Sequence, residues 1–449
     1  MGLNLHNKNL DFLFKAVLAL ENVEECYDFF EDLCTVKEIS DMAQRLQAAK
    51  LLLDGATGTE LQKRGCTGEV CFEQWTLEHP EDILEIQRGY VKAGSQVLYT
   101  PTFGANRRRL ESHGIFNRTA EFNRRLAALS AQAAEGRALC AGDLSPTGAF
   151  LPPLGNAAFE ELEDIYAEQA AALEDAGVDL FVIETMMTLP DARAAVLAVR
   201  RVSRKPVFVT FTCDKNGRSV SGTDVAAALV VLQGMGIDGF GLNCGAGPAE
   251  MVPQLKRLQK LARVPLIAKP NAGTPRFVEG RAVYDCTPEA LAAWVPELLD
   301  AGVAVFGGCC GTTAAHIAAL RDALEGAVIA PSDPAHTDKL VAATERDVFL
   351  LPADVGRDGA IRLGGNAEEA LTDAAESGEA VIAIRIDSRE DVQRLAEWQH
   401  MVMKPVCFVC EDAELLESAL HLYQGRALYS GSLGADVLLP LCGKYGVLV

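Results

Sequence analysis

Short apolar runs alternate with longer amphipathic stretches along most of this chain, and the rhythm changes twice. From Leu51 onward, apolar runs of four to six residues recur. They predict strands at Leu51–Asp54, Gln96–Thr100, Ala138–Gly142, Leu180–Glu184, Val207–Thr212, Gly239–Asn243, Pro265–Ala268 and Val303–Phe306. Each run is followed by apolar residues at helical spacing. Eight strands, each followed by a helix, predict a parallel (β/α)8 TIM barrel over residues 51–326. The competing arrangement is an open doubly wound sheet. The chain has neither a G-x-G-x-x-G at a first strand–helix turn nor a P-loop, which argues against a nucleotide-binding version of it.

The flanks have different patterns. Residues 1–50 are helical throughout, with apolar residues at helical spacing in Leu10–Leu20, Glu24–Leu33 and Val36–Leu53. Residues 327–345 carry Pro331, Asp333, Pro334 and His336 and read as a linker. Residues 346–449 return to alternation: strands at Val381–Ile386, Pro405–Cys410 and Arg426–Ser430 are separated by helices at Arg389–His400 and Ala413–Tyr423. The fold class expected is therefore α/β: a TIM barrel with an N-terminal helical extension and a small C-terminal α/β unit.

Composition narrows the class of function. A length of 449 residues with 49% hydrophobic residues can build large cores, and a formal net charge of −21 disfavours nucleic acid and anionic membrane surfaces as partners. No run reaches the roughly 18 apolar residues of a membrane span, and Met1–Leu13 has no apolar signal-peptide core. The 13 cysteines are odd in number and show no disulfide spacing. A cytoplasmic location with reduced thiols is expected. Cys26, Cys34, Cys66, Cys71, Cys140, Cys213, Cys286 and Cys442 read as buried or surface thiols, and the C-x-x-C of Cys407 and Cys410 lies in an apolar strand with no second pair.

Three thiols differ. The run ending at Phe306 passes through Gly307-Gly308 into Cys309-Cys310-Gly311, and the run ending at Asn243 passes into Cys244-Gly245. Adjacent cysteines point to opposite faces of a strand but converge on a turn, and glycine permits the turn. Thiols at the C-terminal ends of barrel strands lie where a catalytic metal would sit.

These motifs carry a resemblance. Asn243-Cys244-Gly245 with Gly307-Gly308-Cys309-Cys310-Gly311 is similar to the zinc-dependent homocysteine S-methyltransferases, and among them to the homocysteine-binding module of cobalamin-dependent methionine synthases. The likeness continues through Leu53-Asp54-Gly55-Ala56-Thr57-Gly58, Thr100-Pro101-Thr102-Phe103-Gly104, Gly142-Asp143-Leu144-Ser145-Pro146, Val182-Ile183-Glu184-Thr185 and Lys269-Pro270-Asn271-Ala272-Gly273. It implies zinc on Cys244, Cys309 and Cys310, with an open fourth position for the homocysteine sulfur. It implies that Asp54 and Glu184 bind the substrate ammonium, that Thr100 lies beside the substrate, and that Asn243 and Asn271 complete a polar floor. The activity implied is methyl transfer to homocysteine, giving methionine. Betaine enzymes of the family carry an aromatic donor pocket and a long dimerising C-terminal segment, neither evident here, and no D-x-H-x-x-G cobalamin signature occurs. The donor expected is methylcobalamin on a separate corrinoid protein, with S-methylmethionine as the alternative.

The N-terminal stretch has its own resemblance. Leu13–Leu20, Glu24–Thr35 and Met42–Leu46 are similar to the start of Trp-repressor-like regulators, without the recognition helix that reads DNA. A homodimer through these helices is the partner expected, not nucleic acid. A non-catalytic zinc protein with a regulatory N-terminal dimerisation module is the alternative from another class. Residues 415–446 resemble part of the pterin-binding barrel that follows the homocysteine module in methionine synthase, but little more than 100 residues remain, too few for a barrel of roughly 250.

Overall fold

A computed structural model describes residues 55–66, 70–152, 155–245, 247–274, 276–278, 281–329, 338–356 and 359–449. The N-terminal helices, the first expected strand and Asp54 lie outside the described residues.

Seven parallel strands form the main sheet: β1 (Val97–Tyr99), β2 (Leu139–Leu144), β3 (Leu180–Met186), β4 (Val207–Phe211), β5 (Gly239–Asn243), β6 (Leu266–Lys269) and, after an inserted hairpin of β7 (Arg276–Val278) and β8 (Arg281–Val283), β9 (Val303–Phe306). They lie in the order β1-β2-β3-β4-β5-β6-β9. Sequential order without a reversal is that of a barrel, not of a doubly wound sheet. Every residue of β3 and of β5 is buried, as expected of parallel strands covered on both faces.

The sheet curls until its ends approach. Helix Ala314–Ala323, which follows β9, packs on helix Pro80–Ala93, which precedes β1. The Tyr90 hydroxyl donates to the Thr312 carbonyl at 3.2 Å and Arg321 Nη1 to the Ala93 carbonyl at 2.9 Å. Helix Pro80–Ala93 turns Ile83, Leu84, Ile86, Gln87, Tyr90 and Val91 inward at helical spacing and ends where Gly94 adopts a left-handed φ of 107°.

A second layer covers part of the outside. The hairpin of β10 (Leu340–Ala343) and β11 (Val348–Leu351) and the parallel sheet of β12 (Ile382–Arg385), β13 (Val406–Val409) and β14 (Leu428–Ser430) belong to the same compact unit as the main sheet, which spans Asp54–Val449. Leu340–Ala343 falls in the stretch read as a linker from its prolines; its apolar run pairs as a strand instead. Helices Leu189–Val202 and Val225–Gly234 are enclosed as a result, the second burying every residue from Val225 to Leu232. Cys407 packs with Ala342, Leu351 and Leu428, whereas Cys410 packs in the core that holds Phe408, so this C-x-x-C points to opposite faces of the small sheet. No disulfide links the described cysteines, and no described helix is long and apolar enough to cross a membrane.

Candidate metal centre

The thiols are brought together by left-handed turns at two strand ends. Cys244 follows β5 with φ 58° and Gly245 with φ 62°, a pair of left-handed residues that turns the chain sharply. For a non-glycine residue that conformation needs support. The Cys244 N–H donates to the Lys269 carbonyl at 3.1 Å, and Asn271 Nδ2 donates to the Gly245 carbonyl at 2.9 Å. Asn271 also accepts from the Cys310 N–H at 3.0 Å, so one amide joins both thiol-bearing loops. After β9, a Cβ on Gly311 would lie 2.3 Å from the Tyr284 ring, which explains glycine beside Cys310.

The sulfurs of Cys244, Cys309 and Cys310 all lie within 4.8 Å of one another and all three residues are buried. Cys244 Sγ and Cys310 Sγ are 3.8 Å apart. Tetrahedral zinc with Zn–S bonds of about 2.3 Å holds its sulfurs about 3.8 Å apart, so the donor set fits that ion. Among the described residues no carboxylate or imidazole joins the group. Without a cation the three sulfurs share charge unevenly. Hydrogen bonds from Cys309 and Cys310 hold the Cys244 thiol well below its ordinary range. Interaction with Cys244 pushes Cys309 up to about 12 and raises Cys310 as well. One thiolate is stable there alone; three require a cation.

Asn243, at the end of β5, organises the floor. Its Oδ1 accepts from the Thr185 N–H at 3.0 Å and from Thr210 Oγ1 at 2.8 Å. Its Nδ2 donates to Thr185 Oγ1 at 2.7 Å and to Cys309 Sγ at 3.7 Å. Thr185 is itself left-handed, with φ 60°. Asn243 thereby ties three strands to a thiol loop.

A buried charged cluster occupies the same end of the sheet. Lys269 Nζ, ending β6, lies 2.5 Å from Glu184 Oε2 on β3 and 3.7 Å from the centre of the Tyr99 ring on β1. Burial raises the Glu184 carboxyl, opposed by Lys269, and burial with the like charge of Glu184 raises Asp143 well above its usual range. For Lys269, burial is outweighed by Glu184 and Tyr99, which keep it charged. Asp143 Oδ1 is buried without a hydrogen-bond partner.

The residues expected from the sequence separate into groups. The three thiols, Glu184, Asn243 and Asn271 converge on one end of the sheet. Thr100 is nearby, but its hydroxyl bonds to Thr102 Oγ1 at 2.7 Å and accepts from the Asp143 N–H at 3.0 Å, joining β1 to β2. Asp54 lies outside the described residues. Lys269 and Asp143 were not singled out by pattern; a lysine ending an otherwise apolar strand is the signal that marks the first.

Comparison with known proteins follows the same lines. The family described as Homocysteine S-methyltransferase matches residues 51–324, and that described as Trp repressor protein matches residues 8–68. Methionine synthases of Mycobacterium tuberculosis and Mycobacterium leprae are each 34% identical over 301 residues, which is 62% of this chain and 25% and 24% of theirs. The chain thus matches about a quarter of the length of those relatives. Among solved structures, the metallated and oxidised forms of the homocysteine methyltransferase MmuM from Escherichia coli each align with a TM-score of 0.51 and 26% identity, covering 60% of this chain and 93% of theirs.

Proposed function

The chain belongs to the homocysteine S-methyltransferase family, and from that premise we propose that it transfers a methyl group to the homocysteine thiolate, giving methionine, with zinc held by Cys244, Cys309 and Cys310. The observation that carries this reading is the convergence of three buried sulfurs at zinc-compatible spacing, with no described fourth side-chain ligand. When bound, zinc supplies the Lewis acidity that keeps a thiol as its nucleophilic thiolate near neutral pH.

The protein's own part is placement. The left-handed turn at Cys244 and the turn at Gly311 aim the sulfurs inward, and Asn271 fixes the loops relative to each other. The N–H of Asn243 directed at Cys309 stabilises negative charge on that sulfur. Burial excludes water that would solvate and blunt the substrate thiolate. Glu184, with Asp54 from the first strand, is assigned to the substrate ammonium; Thr100, Asn243 and Asn271 shape the floor beneath it. The fold this assignment carries is a closed (β/α)8 barrel. Residues 1–50 are assigned to pairing of chains rather than to reading DNA, and residues 346–449 are not assigned to folate binding. The enzyme works in the cytoplasm.

The donor is assigned to a methylcorrinoid carried by another polypeptide. Methionine formation from homocysteine, measured in parallel with methylcobalamin, S-methylmethionine and betaine, tests reaction and donor together. Turnover with S-methylmethionine alone would replace the corrinoid assignment, and no methionine with any donor, from protein holding one zinc per chain, would favour the non-catalytic zinc protein.

The ammonium assignment is testable by itself. Glu184→Gln keeps the shape and removes a charge-assisted hydrogen bond worth about 1.5–3 kcal/mol, so the variant should bind homocysteine about tenfold or more weakly. Its affinity for 4-mercaptobutyrate, which lacks the amino group, should change far less, and its zinc content should stay normal. Calorimetric titration of both thiols gives the ratio; an unchanged ratio would leave Glu184 a structural partner of Lys269 only.

A further inference from the structure

Lys269 reaches across the mouth of the sheet. It ends β6, yet its Nζ lies 3.7 Å from the Tyr99 ring on β1, with four strands between them in the sheet order. Its stem runs over Gly307, where a Cβ would lie 3.0 Å from Lys269 Cγ, so the absence of a side chain there keeps the path open. Its side chain is 12% exposed and that of Glu184 is 7%, so the pair is enclosed but not sealed. The same end of the sheet carries the thiol loops after β5 and β9.

Neutralising Glu184 does not account for the whole cluster. One buried carboxylate is satisfied by one ammonium, and here a second carboxyl, Asp143, is buried beside the pair with Oδ1 unpartnered. A buried polar atom without a partner is costly and calls for an explanation; at the end of the sheet that carries the thiols, a ligand donor is one that fits. The cluster offers two acids and one base; Asp143, raised by burial, also hydrogen-bonds Glu184, and its Oδ1 remains open to a further donor. Lys269 has three N–H donors; Glu184 takes one, and the Tyr99 face takes charge without accepting a full hydrogen bond. The cluster thus presents an anionic and a cationic group side by side. An α-amino acid presents the complementary pair on adjacent bonds.

We propose that Lys269 is a specificity-determining residue that reads the α-carboxylate of the thiol substrate, while the free oxygen of Asp143 joins Glu184 in reading its ammonium. This rests on the homocysteine assignment above and deepens it: the site selects thiols bearing an intact amino-acid head. A thiol with the ammonium alone leaves Lys269 without its second anion, and a thiol with the carboxylate alone leaves Asp143 Oδ1 without a donor.

Three thiols separate the contributions: homocysteine, 3-mercaptopropylamine, which lacks the carboxylate, and 4-mercaptobutyrate, which lacks the ammonium. Binding is read by calorimetry on the zinc-loaded full chain, independent of the methyl donor. Wild type should prefer homocysteine over 3-mercaptopropylamine by about tenfold or more, the value of one charge-assisted hydrogen bond. Lys269→Met should bring that ratio close to one while keeping or raising the preference over 4-mercaptobutyrate. Lys269→Arg, which preserves the charge, should retain most of the first preference. Asp143→Asn should lower the second preference and spare the first. Should Lys269→Met fail to fold, judged by circular dichroism and zinc content, the arginine and Asp143 variants carry the test. A wild-type or Lys269→Met ratio that contradicts these values, with homocysteine binding intact, overturns the role of Lys269. Wild type that binds none of the three thiols instead overturns the homocysteine assignment.

Discussion

Cys309→Ala will lose both bound zinc and methyl transfer. Wild type is expected to hold about one zinc per chain, on three thiolates with one position left for substrate. Removing one sulfur leaves two, and among the described residues no other cysteine, histidine or carboxylate belongs to the group. The site cannot easily recruit a substitute, because both loops are fixed by backbone bonds: the Cys309 N–H donates to the Pro270 carbonyl at 2.9 Å and Thr312 Oγ1 to the Cys309 carbonyl at 2.6 Å. The remaining pair also loses the Asn243 N–H aimed at Cys309 Sγ. Metal analysis of the purified variant should therefore read close to zero zinc, with circular dichroism unchanged. Cys442→Ala, in helix Ala435–Tyr445 and half-buried, is the control and should keep its zinc. Full zinc retention in Cys309→Ala would remove Cys309 from the ligand set.

The thiol centre is legible in the sequence because its determinants are local. Gly307, Gly308 and Gly311 announce a turn, and the apolar runs before Cys244 and Cys309 announce strands whose ends face the same way. The seven main-sheet strands sit within two residues of the expected positions for the same reason: in a parallel sheet each is a short, nearly continuous apolar run. What pattern does not show is which groups meet across the curled interior. Lys269, Glu184 and Tyr99 are far apart in sequence and on non-adjacent strands, so no spacing rule connects them. Nor does it show how polar groups are used. Thr100 and Asn243 read as substrate contacts, and much of their hydrogen-bonding capacity goes to joining neighbouring strands. The outer layer is half legible. Val225–Leu232 has no polar face, which signals a helix covered on every side, but nothing in its periodicity names the segment that covers it.

That covering layer depends on Arg193, and Arg193→Ala should release it. The side chain projects from helix Leu189–Val202 and is 1% exposed. Its Nη2 donates to the Leu420 carbonyl at 3.0 Å, and its Nη1 to the His421 carbonyl at 3.3 Å and to Gln424 Oε1 at 2.9 Å. The guanidinium also lies 5.4 Å from the Phe159 ring centre. Burial pushes it down to about 10, so it remains charged at neutral pH. No carboxylate forms an ion pair with it among the described residues; the charge is balanced chiefly by the carbonyls ending helix Ala413–Leu422, the negative pole of that helix. Alanine would strand those carbonyls in a closed space and leave a cavity, a loss of about 3–5 kcal/mol. Arg193→Met fills most of the volume and strands only the carbonyls, so its loss should be smaller, about 1–3 kcal/mol. The measurement is urea unfolding combined with limited proteolysis. The alanine variant should unfold at lower urea and be cleaved first within residues 338–449 while the main sheet still resists; the methionine variant should fall between it and wild type. If alanine matches wild type in both midpoint and protease resistance, Arg193 does not hold the layers together, and apolar contact along helices Leu189–Val202 and Val225–Gly234 is sufficient by itself.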